Sequence, residues 1–184
     1  EDRDFWKKAA DASREYLTAA CHPVTGMSAE YAEFDGTPMR RGLPWTKERH
    51  DWFFSDAYRT AANIGLDYEW CKKDVGQCAA VKRLQYHLGV TQKGNMTGVF
   101  EVDGTPIGSA AKHPLGIIAT TAQGALALDG PISLGDEDKE KALAAEWVKR
   151  LWDEPMRSGK YRYYDNCLYV FAFLALSGNY RIYE

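Results

Sequence analysis

The sequence predicts an all-α protein carrying one small β-hairpin, and a body that is part of something larger. Three observations predict it. Hydrophobic residues recur at helical spacing in six separate blocks. One stretch alternates instead, "TGVFEVDGTPIG", and it carries Asp103-Gly104, a pair that favours a tight hairpin turn. Two of the blocks, "LGIIATTAQGALAL" and "CLYVFAFLAL", are small or apolar on most sides. Helices of that kind sit inside a body, and six helices could hardly hide both on their own.

Each element has its own local signal. Asp4 opens the first helix, "DFWKKAADASREYLTAA", with Phe5, Trp6, Ala9, Ala12, Tyr16 and Ala19 close to a 3.6-residue period. Residues 22–45 follow as a long irregular segment holding Pro23, Gly26, Gly36, Pro38, Gly42 and Pro44. Loops of that length in compact domains tend to bind ligands or to lack order. The aromatics and acids Tyr31, Glu33, Phe34, Asp35 and Trp45 favour binding. A second helix is expected over 47–65 and a third over 68–87, softly broken at Gly76. The hairpin occupies roughly 98–107. Pro114, a favoured first-turn residue, opens a fourth helix that reaches Leu128 and stops at Gly130-Pro131. The fifth, 136–152, carries acids in its first turn and ends before Pro155. The sixth, 161–176, closes at Gly178. The blocks share no sequence period, so they are not a short-motif solenoid.

Composition narrows the function. The 184 residues carry a net charge of −3, with no electrostatic footprint for nucleic acid or an anionic membrane. The longest apolar stretch, Cys167 to Leu176, is too short to span a bilayer. The chain opens at Glu1 without a methionine, so a leader or more is expected to have been removable, and a cytoplasmic, periplasmic or secreted location stays open. Cys21, Cys71, Cys78 and Cys167 have no metal-ligand spacing, and Cys71 and Cys78 stand too far apart along a helix for a disulfide; buried thiols are expected. No metal or cofactor motif occurs. Six Trp, eleven Tyr and seven Phe exceed what a helical core needs, and either fill space or line a cleft with flat rings.

The run "DWFFSDAYRTAANIG", 51–65, sets Asp56 and Arg59 one helical turn apart among aromatics and alanines. A carboxylate there has to be paired, solvated or employed. Acids also stand among tyrosines and phenylalanines in "EYAEFDGTP" (30–38) and "YRYYDNC" (161–167). Helix-capping acids beside core rings explain one such cluster. Three in a chain with scattered histidines (His22, His50, His87, His113) and no other chemistry lean toward a carbohydrate cleft.

"HDWFFSDAYRTAANIGLDYEW", "SAEYAEFDGTP", "KHPLGIIATTA" and "GKYRYYDNCLYVFAFLALSGNYRIY" together resemble glycoside hydrolase family 8, across nearly the whole chain. The branch most similar is the reducing-end xylose-releasing exo-oligoxylanases. The resemblance implies an (α/α)6 barrel and inverting hydrolysis of β-1,4 glycans without a cofactor. It implies that Asp56, in Asp56-Ala57-Tyr58-Arg59, is the general base, supported by Arg59. Tyr31, His113, Tyr163 and Tyr164 are the expected substrate contacts. The family's general acid and its further aspartate lie in Ser-Glu-Gly and Asp-Gly-Asp motifs that this sequence lacks. The chain therefore resembles the C-terminal half of such a domain, and its expected partners are a xylo-oligosaccharide or related β-1,4 glycan and the N-terminal half. Where the exo branch has His-Leu-His-Pro, this sequence reads Ala111-Lys112-His113-Pro114, so Lys112 or His113 would have to serve in place of the first histidine. An endo-glucanase or chitosanase of the same family, a non-catalytic sugar-binding module and a plain helical interaction domain are the other readings.

Overall fold

The computed structural model describes residues 2–40, 49–73, 75–128 and 136–182. Six α-helices dominate: α1 Arg3–Ala20, α2 Arg59–Cys71, α3 Val75–Tyr86, α4 Pro114–Gln123, α5 Glu137–Asp153 and α6 Arg162–Leu176. They form two layers. The even-numbered helices make the inner one, with α4 between α2 and α6. The odd-numbered helices stand outside, α3 against α1, α2 and α5, and α5 also against α4. Sequence explains the assignment: every residue of α4 from Leu115 to Gln123 is buried, whereas α1 buries only Arg14 and Ala20 and keeps most of its other charges in water.

Glycine sets the spacing of the inner layer. A Cβ added at Gly116 would meet Asp165 Oδ1 and Leu168 Cδ1 at 3.1 Å, so glycine lets α4 and α6 approach this closely with no neighbour giving way. Between the outer helices the fully buried Trp147 of α5 donates its indole N–H to the Gln85 carbonyl at 3.1 Å, which satisfies the polar end of a large core ring.

The expected second helix is shorter at its start and longer at its end. Residues 47–48 lie outside the described residues. Trp52–Phe53 are not helical but form β1, which pairs antiparallel with β2 (Gly98–Glu101), and β2 pairs with β3 (Pro106–Ala110). The expected hairpin is thus two strands of a three-stranded sheet, with a register shift between Gly98 and Phe100. A large aromatic pair, Trp52-Phe53, prefers the pleated surface to a helix once Glu101 and Phe100 offer partners. Ser55 at φ 48° then breaks the extended run, and Ser55–Tyr58 turn as a 3-10 helix into α2.

The expected third helix straddles two. Lys72 adopts a left-handed conformation, φ 50°, which ends α2, and Gly76 lies inside α3 rather than at a break. A π-type turn, His87–Thr91, prolongs α3, and a 3-10 turn, Gly124–Ala127, prolongs α4. Trp45 and the Gly130-Pro131 stop lie outside the described residues. All four cysteines are free; Cys21 and Cys78 are buried, but Cys71 is exposed near the end of α2, against the expectation of buried thiols. Among the described residues no helix is long and apolar enough to cross a membrane, and no group of His, Cys, Asp and Glu is placed to hold a metal ion.

Candidate active site

The three inner helices begin at one end of the molecule. Asp56 lies in the turn before α2, His113 precedes α4, and Tyr164 and Asp165 stand in the first turn of α6. The sheet holds the first of these in place. β1 fixes residues 52–53, Glu30 N–H donates to the Trp52 carbonyl at 3.0 Å, and the Trp52 indole donates to Glu101 at 3.3 Å. The chain therefore leaves β1 in a fixed direction and delivers Asp56 to the mouth of the inner layer.

Asp56 is neither buried nor free. Its side chain is 45% exposed, Arg59 Nη2 lies 2.7 Å from Oδ2, and the Tyr164 hydroxyl donates to Oδ1 at 3.2 Å. Each carboxylate oxygen thus has one protein donor and keeps lone pairs free. Burial and then the Asp56 charge push the Tyr164 phenol well above its ordinary range, so it stays protonated and keeps donating. Tyr58, two residues further on, is buried, and burial raises its phenol as well.

His113 stands beside this pair. Its ring centroid is 4.4 Å from that of Tyr164 and 5.4 Å from that of Tyr161. Behind it lies a carboxylate that is completely buried, Asp165. Gly116 N–H donates to Asp165 Oδ1 at 3.2 Å, Arg157 pairs with Oδ2, and His113 Nδ1 approaches Oδ1 to 3.2 Å. The carboxylate faces the N-terminal ends of both α4 and α6, where backbone dipoles favour negative charge. Arg157 also donates to the Lys112 carbonyl, and its own backbone N–H and C=O are both bonded by the Asn166 amide at 2.8 and 2.9 Å. Lys112 itself turns over the Phe54 ring, 5.5 Å from its centroid.

The structure thus brings together Asp56, Arg59, Tyr164 and His113. Tyr31 stacks on His50 at 4.3 Å, half exposed, and His50 pairs with Glu30, whose side chain is 8% exposed. Tyr163 is placed elsewhere. A step of one residue along a helix turns by about 100°, and Tyr163 stands 82% exposed on another face of α6, in a shallow groove with Lys160, Arg162 and Phe171. Sequence reasoning missed Asp165 and Arg157. Asp165 reads as an ordinary first-turn acid, and nothing along the chain pairs it with residue 157 or 113.

No family model matches the chain. It is 49% identical over 183 residues to the reducing-end xylose-releasing exo-oligoxylanase Rex8A of Paenibacillus barcinonensis, a match covering 100% of this chain and 44% of that protein. The reducing end xylose-releasing exo-oligoxylanase of Bifidobacterium adolescentis is 50% identical over 182 residues, covering 98% of this chain and 45% of its own. The solved structure of Rex8A complexed with xylose superposes with a TM-score of 0.84 at 47% identity, over 100% of this chain and 45% of that one. The chain spans less than half the length of the curated relatives it matches, and it has the fold of the corresponding part of an (α/α)6 barrel.

Proposed function

We propose that the chain is the C-terminal half of a glycoside hydrolase family 8 domain, and that the complete domain hydrolyses β-1,4-linked xylo-oligosaccharides with inversion, releasing xylose from the reducing end. The observation that carries the reading is the convergence of Arg59 and Tyr164 on a half-exposed Asp56 at the mouth of the inner helices. This is what a general base for water requires. Arg59 holds the carboxylate in place and balances its charge, and Tyr164 fixes its rotation. A free lone pair then points to the opening, where a water can be deprotonated as it attacks the anomeric carbon.

An inverting hydrolase needs a second carboxyl roughly 6.5–9.5 Å away to protonate the leaving oxygen. Asp165 cannot serve, because it is fully buried and already engaged by Arg157 and Gly116. The acid belongs to the complementary half of the barrel, so this chain alone supplies the base side of the reaction. Tyr31, on its His50 support, and His113 are the substrate contacts under this reading.

The test is product analysis of the complete domain on xylotriose, cellotriose and chitosan oligomers, with the anomer followed by proton NMR. Formation of α-xylobiose together with xylose from the reducing end of xylotriose supports the reading. Preferential cleavage of the glucan or chitosan oligomers, or retention of configuration, overturns it.

A further inference from the structure

We infer that Asp165, held by Arg157, is a positioning residue that fixes the tautomer of His113, so that Nδ1 carries the proton and Nε2 faces the cleft as a hydrogen-bond acceptor. The inference rests on the hydrolase reading only for what Nε2 meets. A carboxylate has acceptors alone, so the nitrogen set against it must bring the proton. His113 Nδ1 is buried, Asp165 Oδ1 lies 3.2 Å from it, and it has no hydrogen-bond partner of its own among the described groups. The carboxylate cannot turn away, since Gly116 N–H holds the same Oδ1 and Arg157 holds Oδ2. Arg157 is fixed in turn by the Asn166 amide and pins the Lys112 carbonyl next to His113. The backbone before His113 is therefore held, and its ring lies between the Asp165 carboxylate and the Tyr164 ring. With Nδ1 protonated, Nε2 accepts a hydrogen bond from a sugar hydroxyl instead of donating one.

Asparagine at 165 gives a sharp contrast, because it has one acceptor where aspartate has two. The Arg157 cation claims the amide oxygen, which swings the NH2 group onto His113 Nδ1 and forces the proton to Nε2. Removing the cation as well, in Asp165→Asn with Arg157→Met, frees the amide to turn its oxygen back toward Gly116 and His113.

The first experiment is nitrogen NMR on the complete domain with ¹⁵N-labelled histidine, recorded above the pH at which the imidazole signals stop moving. His113 is identified by the signal lost in His113→Asn. Wild type should show protonated Nδ1 and bare Nε2, Asp165→Asn the reverse, and the double variant a return to the first pattern. A wild-type ring protonated at Nε2 overturns the inference with no variant needed, and so does an unchanged tautomer in folded Asp165→Asn. The second experiment measures Asp165→Asn in the complete domain, where KM for xylo-oligosaccharides should rise about fivefold to tenfold while kcat changes much less. An inverted tautomer with unchanged KM overturns the sugar contact at Nε2. A wild-type complete domain that cleaves no xylo-oligosaccharide defeats the hydrolase reading instead, and the NMR result stands apart from it.

Discussion

Asp56 has one donor on each oxygen, Arg59 at 2.7 Å and the Tyr164 hydroxyl at 3.2 Å, and nearly half of its side chain is exposed. The residue-scale prediction concerns Asp56→Asn in the complete domain. Asparagine keeps the hydrogen bond from Tyr164 but cannot take a proton from water, so kcat should fall by about 10²–10⁴-fold with KM nearly unchanged. Added azide should occupy the site of the missing nucleophile and yield α-glycosyl azide from the β-linked substrate. Full activity in a folded Asp56→Asn protein would refute the assignment. Half of this arrangement is legible in the sequence. A charge amid "DWFFSDAYRTAANIG" stands out against its neighbours, and the Arg59 pairing follows from helical spacing alone. Tyr164 is harder, because it arrives from 108 residues away, and only the cluster "YRYYDNC" points to that region. Nothing in it says which tyrosine of the pair turns toward Asp56. Asp165 and Arg157 are illegible for the same reason: their meaning lies in contacts between elements, and a sequence shows only contacts within them.

At the scale of elements, existence and order are legible and the boundaries are not. Periodicity locates all six helices, whereas the true breaks depend on tertiary partners. Trp52-Phe53 become a strand because β2 is there to pair with them, and the stop between α2 and α3 is a left-handed Lys72 that no turn residue announces. The tie between α1 and α2 offers a measurable consequence. Arg14 binds both oxygens of Asp67, at 2.7 and 2.6 Å, and also Asp11 at 2.8 Å. The Arg14 hydrogen bonds are the main reason the Asp67 carboxyl sits below its ordinary range. A carboxyl lowered in the folded state binds its proton more readily once unfolded. Its contribution is therefore full above the ordinary aspartate value and is lost as pH falls from there through the depressed folded value. Chemical denaturation of wild type and Asp67→Asn should show a stability difference near neutral pH that shrinks across this acid window. A difference independent of pH would disprove the coupling.

Gly116 tests the inner layer in the same spirit. Alanine there has a favourable helix propensity of up to about 1 kcal/mol. Its methyl would nevertheless meet Asp165 and Leu168 at 3.1 Å, and Asp165 cannot yield while Arg157 holds it. Gly116→Ala should destabilise by about 1–2 kcal/mol on balance, read from the denaturation midpoint. A stabilised variant would mean that α4 and α6 have slack the described packing does not allow.

The molecule as a whole leaves apolar surface uncovered, and the pattern of that surface is itself informative. Tyr163, Val170, Phe171 and Leu174 are all exposed, at spacings that place them along one side of α6, and Trp152 at the end of α5 is 72% exposed. Contiguous apolar patches of this kind mark interaction surfaces. The surplus is foretold by "CLYVFAFLAL", which has no polar face to offer water. Which side of α6 packs on α4 and which stays open is fixed instead by Gly116 and Asp165 on the packed side. Because the matched relatives are more than twice as long as this chain, the complementary part of such a barrel is the expected occupant. The prediction is a complementation experiment. The chain is co-expressed with the remaining portion of the Paenibacillus barcinonensis exo-oligoxylanase, whose matched portion is 49% identical to it. The two parts should copurify as a one-to-one complex and together hydrolyse xylo-oligosaccharides, while each alone does not. Charge at the centre of the open face should prevent this: Phe171→Asp, on an exposed position that costs the isolated chain little, should abolish copurification and activity together. Hydrolysis by the chain alone, or a fully active complex carrying Phe171→Asp, would show that α6 is not the seam.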